Sequence, residues 1–139
     1  MKQLPSFRSR LLPLLGFAAL HSVVSAATPA VTRHDLLTAV IDPARPVANA
    51  AVKRVTLPPG CPTGLHLHPC PVVGVLLEGE IRFQLEGGPV QMLRAGDAIY
   101  EPANVRVRHF DNVGDRPAVL IACYLLAPGQ QELIRLLPE

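Results

Sequence analysis

Two histidines one residue apart, His66 and His68, lie in the stretch GCPTGLHLHPCPVVGVLLEG, between a Pro-Gly turn and an apolar run that ends at Glu78-Gly79. On an extended strand successive side chains alternate faces, so the two imidazoles point one way while Leu65 and Leu67 point the other. Two nitrogen donors then converge from a stiff element. Neutral imidazole is the commonest protein ligand for zinc, iron, nickel and copper. The pairing therefore points to a divalent transition metal. It does not choose among Fe, Mn, Ni, Zn and Cu, because selection follows geometry and availability more than ligand type. The plainer alternative is a metal-free polar pocket lined by two hydrogen-bonded rings.

The elements that must position this pair read as short strands. Ala51 to Leu57 is a β-rich run closed by Pro58-Pro59-Gly60, a strong turn signal. Val72 to Leu77 is a continuous apolar run, too short for a helix and suited to a buried strand. Ile81, Phe83 and Leu85 alternate with polar residues, and Gly87-Gly88 supplies a hairpin turn before Val90 to Leu93. Further turns at Ala95-Gly96-Asp97 and Pro102-Ala103-Asn104 introduce runs from Ala98 to Tyr100 and from Val105 to Phe110, and Ala118 to Leu126 forms a last long one. Only Gln130 to Leu137, with Leu133, Ile134, Leu136 and Leu137, has a helical pattern. The expectation is an all-β barrel or sandwich over residues 49–128, preceded by an arm over 27–48 and followed by a helical tail over 129–139. Ile81, Phe83, Leu85 and Met92 are expected in its core. His34, in the arm, is expected to face solvent. Arg106 and Arg108 read as an outer charged face, with a role in holding carboxylates at the barrel mouth as the alternative. Tyr100 and Glu101 precede a turn and read as closing it; parity leaves open whether Glu101 reaches the pocket as a base or supporting group.

These residues resemble the cupin superfamily, and the likeness covers nearly all of the sequence after residue 26. The first cupin motif is a glycine, five residues, His-x-His, three or four residues, a glutamate, six residues and a glycine. Here Gly60, His66, His68, Val72 and Gly79 keep every spacing, with Val72 in place of the glutamate. In the second motif Gly96 and Pro102 match, Asn104 stands for a glycine, Val107 for a histidine, and the final asparagine, Asn112, falls one residue late. Asn is the best substitute for a turn glycine because it tolerates left-handed backbone. The resemblance implies a jelly-roll-like double-stranded β-helix, a single-domain barrel with His66 and His68 facing inward. Neither Val72 nor Val107 can donate to the family's metal cage. If Val107 takes the inward position, period two also turns His109 inward, about 7 Å further along the strand. The expected site is thus a metal held by His66, His68 and His109, with open positions for water or substrate. Its expected partner is a small molecule, a small organic acid or aromatic, handled as in the metal-dependent oxygenases, isomerases, decarboxylases and lyases of the superfamily. The alternatives are a metabolite-binding cupin without turnover and a structural one assembled as a homodimer.

Composition bounds the remaining classes. Lys2, Arg8 and Arg10 precede an apolar run from Leu11 to Leu20 and then Val24-Ser25-Ala26, the layout of a secretory signal cleaved near Ala26. That run is broken by Pro13 and falls short of the roughly 20 residues of a spanning helix, so no stable membrane anchor is expected after processing. Removal of three basic residues turns the formal charge of +2 into −1 and leaves Lys53 as the only lysine. No basic patch remains to neutralise phosphates, and nucleic acid is excluded as a partner. The expected location is the periplasm or outside the cell, where disulfides persist. Cys61 and Cys70 are nonetheless expected to stay apart, because an extended His-x-His segment between them holds their Cα atoms beyond the roughly 7 Å limit of a bridge.

Overall fold

Alternating inward residues build two antiparallel sheets that face each other. The computed structural model describes residues 30–138, so the expected signal over 1–26 lies outside the described residues. From His34 onward the chain is one compact unit. Its first sheet consists of β1 (Asn49–Leu57), β8 (Ala118–Leu126), β3 (Val72–Glu78) and β6 (Ala98–Glu101), in the order β1-β8-β3-β6. The second consists of β5 (Gln91–Arg94), β4 (Glu80–Leu85), β7 (Arg106–Asn112), β2 (His66–Leu67) and β9 (Arg135–Leu136), in the order β5-β4-β7-β2-β9. The result is a jelly-roll-like all-β fold. Leu57, Val72, Leu76, Ile81, Phe83 and Val107 fill the space between the sheets. Met92 is exposed instead, opposite Arg82 on the outer face, because Leu93 takes the inward parity on β5. His34 is exposed.

The tail departs from expectation: no helix forms among the described residues. β9 pairs with β2, placing Leu136 opposite His66 and Arg135 opposite Leu67, and Leu137 N–H donates to the carbonyl of Leu65 at 2.9 Å. Eight residues make a marginal helix, whereas the free edge of β2 offers unpaired backbone groups that a strand satisfies. Among the described residues there is also no helix long and apolar enough to cross a membrane. All three cysteines are free thiols.

Two turn residues carry the local strain. Asn104 has φ 62° and its N–H donates to the carbonyl of His68 at 2.7 Å, tying this turn to the histidine segment. Gly79 has φ 86°, and a Cβ there would lie 2.7 Å from the Ala118 backbone. Asn104→Gly should therefore be neutral or stabilising by up to about 1 kcal/mol, whereas Gly79→Ala should cost about 1–3 kcal/mol through positive φ and overpacking. Urea denaturation of both variants measures the difference.

Candidate metal centre

β2 sits between β7 and β9, and this placement buries both histidine rings between the sheets: His66 is 3% exposed and His68 5%. Their centroids are 5.2 Å apart and nearly perpendicular. Two carbonyls fix how each ring is used. His66 Nδ1 lies 2.8 Å from the carbonyl oxygen of Gly64, and His68 Nδ1 lies 2.6 Å from that of Leu133. A carbonyl only accepts, so each Nδ1 carries the hydrogen and each neutral ring keeps its lone pair on Nε2. This is how a metal-ligating histidine is oriented by a supporting hydrogen bond.

Facing these nitrogens is Glu101, 4% exposed, at the end of β6 on the opposite sheet. Its Oε2 is 3.0 Å from His68 Nε2. One donor atom from each of His66, His68 and Glu101 lies within 4.8 Å of the others, the one such group among the described residues. Donors bound about 2.1 Å from a common ion stand roughly 3.0–3.4 Å apart at octahedral or tetrahedral angles, so the His68–Glu101 spacing already fits an ion. The donor set is that of a first-row divalent metal: two imidazole nitrogens and a carboxylate.

Glu101 restores the carboxylate that Val72 lacks, from the neighbouring strand. In the β3–β6 ladder Val72 is paired directly with Glu101, so the carboxylate reaches the same region of the interior one strand over. From the sequence, Glu101 reads as closing a turn, with a place at the pocket as a base or supporting group left open. Its signal was parity with Ile99, a buried apolar residue two positions earlier on β6, which turns Glu101 to the same inner face.

The structure does not bring His109 to the pair. On β7, Gln84 pairs with His109 but Leu85 pairs with Val107, leaving Arg108 as an extra residue. This β-bulge resets the alternation, so Val107 and Phe110 both face inward while His109 turns to the outer face. There its Nδ1 is 2.8 Å from Asp111 Oδ2, which also accepts from Arg82, and these residues line an open groove with Arg106 and Arg108. The bulge explains the late asparagine as well: one added residue shifts Asn112 in number while keeping it inward and 1% exposed. Its amide donates to the carbonyls of Leu57, Pro58 and Arg116.

A cavity of about 100 Å³ opens beside the cluster. His66, His68 and Glu101 line it together with Thr63, Tyr124, Val55, Leu57, Phe110 and Leu120. Tyr124 stacks edge-on to His68 with centroids 5.6 Å apart. Burial, then the charges of Glu101 and Cys70, hold the phenol above its ordinary pKa of 10.0, so it stays a neutral O–H group near pH 7.

The cupin domain profile matches residues 53–124, just over half of the chain, and the chain belongs to the cupin family. Solved structures agree in fold. An oxalate oxidase in complex with the substrate analogue glycolate has a TM-score of 0.55 and 23% identity over 64% of this chain and 46% of its own. The DMSP lyase DddQ from Ruegeria pomeroyi DSS-3 has a TM-score of 0.54 and 26% identity over 63% of this chain and 42% of its own. This chain thus spans less than half the length of either. A sugar phosphate isomerase of the cupin superfamily from Silicibacter pomeroyi DSS-3 has a TM-score of 0.50 and 25% identity over 58% of this chain and 53% of its own. Among curated proteins none matches the chain.

The cluster has a sign-definite pH behaviour. Burial opposes a charge on His68, but the hydrogen bond from its ring to Glu101, the charge of Glu101 and the Leu133 carbonyl outweigh it, raising the pKa above 6.5. With the folded value above the unfolded one, the metal-free protein gains stability that is fully present below pH 6.5 and lost as pH rises through the folded pKa. NMR titration of the His68 ring should show a midpoint above 6.5 that falls in Glu101→Gln; an unchanged midpoint in that variant contradicts the pairing.

Proposed function

We propose that this cupin is an exported protein that binds a small molecule through a divalent transition metal held by His66, His68 and Glu101. One observation carries the reading: His68 Nε2 and Glu101 Oε2, two acceptors in their neutral and ionised forms, are buried 3.0 Å apart, a contact that needs a cation, metal or proton, between them. Both Nδ1 hydrogens are committed to carbonyls, so neither ring can turn its N–H to the carboxylate without breaking a hydrogen bond. A divalent ion supplies the missing charge to all three donors at once. When bound, it supplies Lewis acidity toward an oxygen of the bound molecule. The chain's own residues orient the rings through Gly64 and Leu133, set the Tyr124 ring edge-on to His68, and surround the cavity with apolar walls. Export rests on the Lys2, Arg8 and Arg10 cluster, the apolar run and the small residues ending at Ala26.

A second reading places a proton where the metal would stand. The raised pKa of His68 favours it, since an imidazolium–glutamate pair also satisfies both atoms. The protein would then be a metal-free binding module. The two readings separate on metal content.

Mature protein, dialysed against mixed first-row metals and then against buffer, should retain close to one ion per chain by elemental mass spectrometry. Spreading about 10–16 kcal/mol of zinc binding over four ligands implies roughly 100- to 1,000-fold weaker binding for His66→Ala, His68→Ala or Glu101→Ala, while His109→Ala should keep full occupancy. Negligible metal in the wild-type protein would leave the protonated pair. Because protons compete for His68, metal affinity should also fall as pH drops below its raised pKa.

A further inference from the structure

The open groove on the outer face of the second sheet has a volume of about 490 Å³, within the range of about 300–1,000 Å³ that small-molecule sites occupy. Its charged lining is mostly cationic: Arg82 from β4 and Arg106, Arg108 and His109 from β7, against the single carboxylate of Asp111. No run of basic residues in the sequence announces this cluster, because two neighbouring strands assemble it. The bulge on β7 completes it. Period two presents Arg106 and Arg108 on the outer face, and the extra residue turns His109 out with them.

The carboxylates nearby do not cancel these charges. Oδ2 of Asp111 alone accepts from Arg82 Nε at 3.1 Å, from Arg82 Nη2 at 2.7 Å and from His109 Nδ1 at 2.8 Å, so its charge is committed to holding Arg82 and His109. Arg106 and Arg108 share one oxygen of Glu86, Oε1, at 3.5 and 3.1 Å. Glu86 itself is fixed to β7, where its N–H donates to the Arg106 carbonyl at 2.8 Å. Three guanidinium groups thus meet two carboxylates, which leaves one positive charge in excess. Among the described residues Arg106 and Arg108 each commit one N–H donor to Glu86 and keep the rest of the guanidinium fork.

We propose that this groove binds a small molecule through its oxyanion, a carboxylate or phosphate group, with Arg106 and Arg108 as the anchors and Arg82 and His109 beside them. A guanidinium fork matches two oxygens of either group, and the excess positive charge selects an anion over a neutral molecule. The groove is separate from the buried cluster: none of His66, His68 and Glu101 lines it, and its occupancy is independent of a metal there.

Calorimetric titration of the mature protein at low salt with succinate, inorganic phosphate and uncharged succinamide tests this. At least one of the two anions should bind and succinamide should not; the tighter anion names the group that the groove takes. Arg106→Gln and Arg108→Gln should each weaken that binding about 10-fold or more. Both variants should melt close to wild type, because exposed ion pairs contribute little to stability. Arg94→Gln removes an exposed arginine of the same sheet from outside the groove and, its charge being screened, should bind within about 3-fold of wild type. Protein stripped of metal with a chelator and dialysed should bind the anion as well as untreated protein does. Binding of neither anion, succinamide binding as tight as succinate, or an equal loss in Arg94→Gln overturns the proposal. Binding that vanishes on removal of the metal places the anion at the interior cluster and overturns it too.

Discussion

The contact between His68 Nε2 and Glu101 Oε2 constrains everything around it. It joins the two sheets at the one place, among the described residues, where a buried carboxylate meets a buried imidazole, 3.0 Å apart and nearly without solvent. Burying a carboxylate is costly unless a positive charge or hydrogen bonds compensate it. The arrangement commits the protein to one of two cations, a proton or a metal. What favours the metal is the second imidazole, which a simple ion pair does not need and whose Nε2 is kept free by the carbonyl of Gly64.

The supporting structure is spread over distant parts of the chain. Leu133, near the end, supplies the carbonyl that orients His68; β9 covers β2; Asn104, in the turn after Glu101, donates to the His68 carbonyl. Asn112 pins the segment before the histidines through the carbonyls of Leu57 and Pro58. Truncated strands are poor supports on their own, and β2 is only two residues long. Its neighbours therefore do the holding, and the site's precision depends on the tail as much as on the segment that bears the two histidines.

Much of this was legible in the residues. The strand pattern and turns define an all-β domain, the shared parity of His66 and His68 is correct, and the left-handed Asn104 follows from its place in a glycine position. Three features were not legible, each because the deciding interaction is nonlocal. The tail has helical spacing from Leu133 to Leu137, but pairing with an open strand edge outweighs that weak preference. Period-two counting put His109 inside, and an added residue on β7 that alters no local composition turns it out. Parity with Ile99 turns Glu101 inward, but that it lies beside Val72 follows only from the pairing of β6 with β3, which neither strand shows alone.

Relocation of the carboxylate carries a general lesson for degenerate motifs. Loss of a ligand at Val72 reads as loss of the centre when residues are matched one by one, yet the neighbouring strand presents an equivalent group to the same region. X-ray absorption at the edge of a bound metal tests this most directly. The spectrum should show two imidazoles and a carboxylate oxygen at about 2.0–2.2 Å, with the oxygen shell reduced in Glu101→Gln and nothing altered in His109→Ala. A shell of three imidazoles, or one indifferent to Glu101, would contradict it.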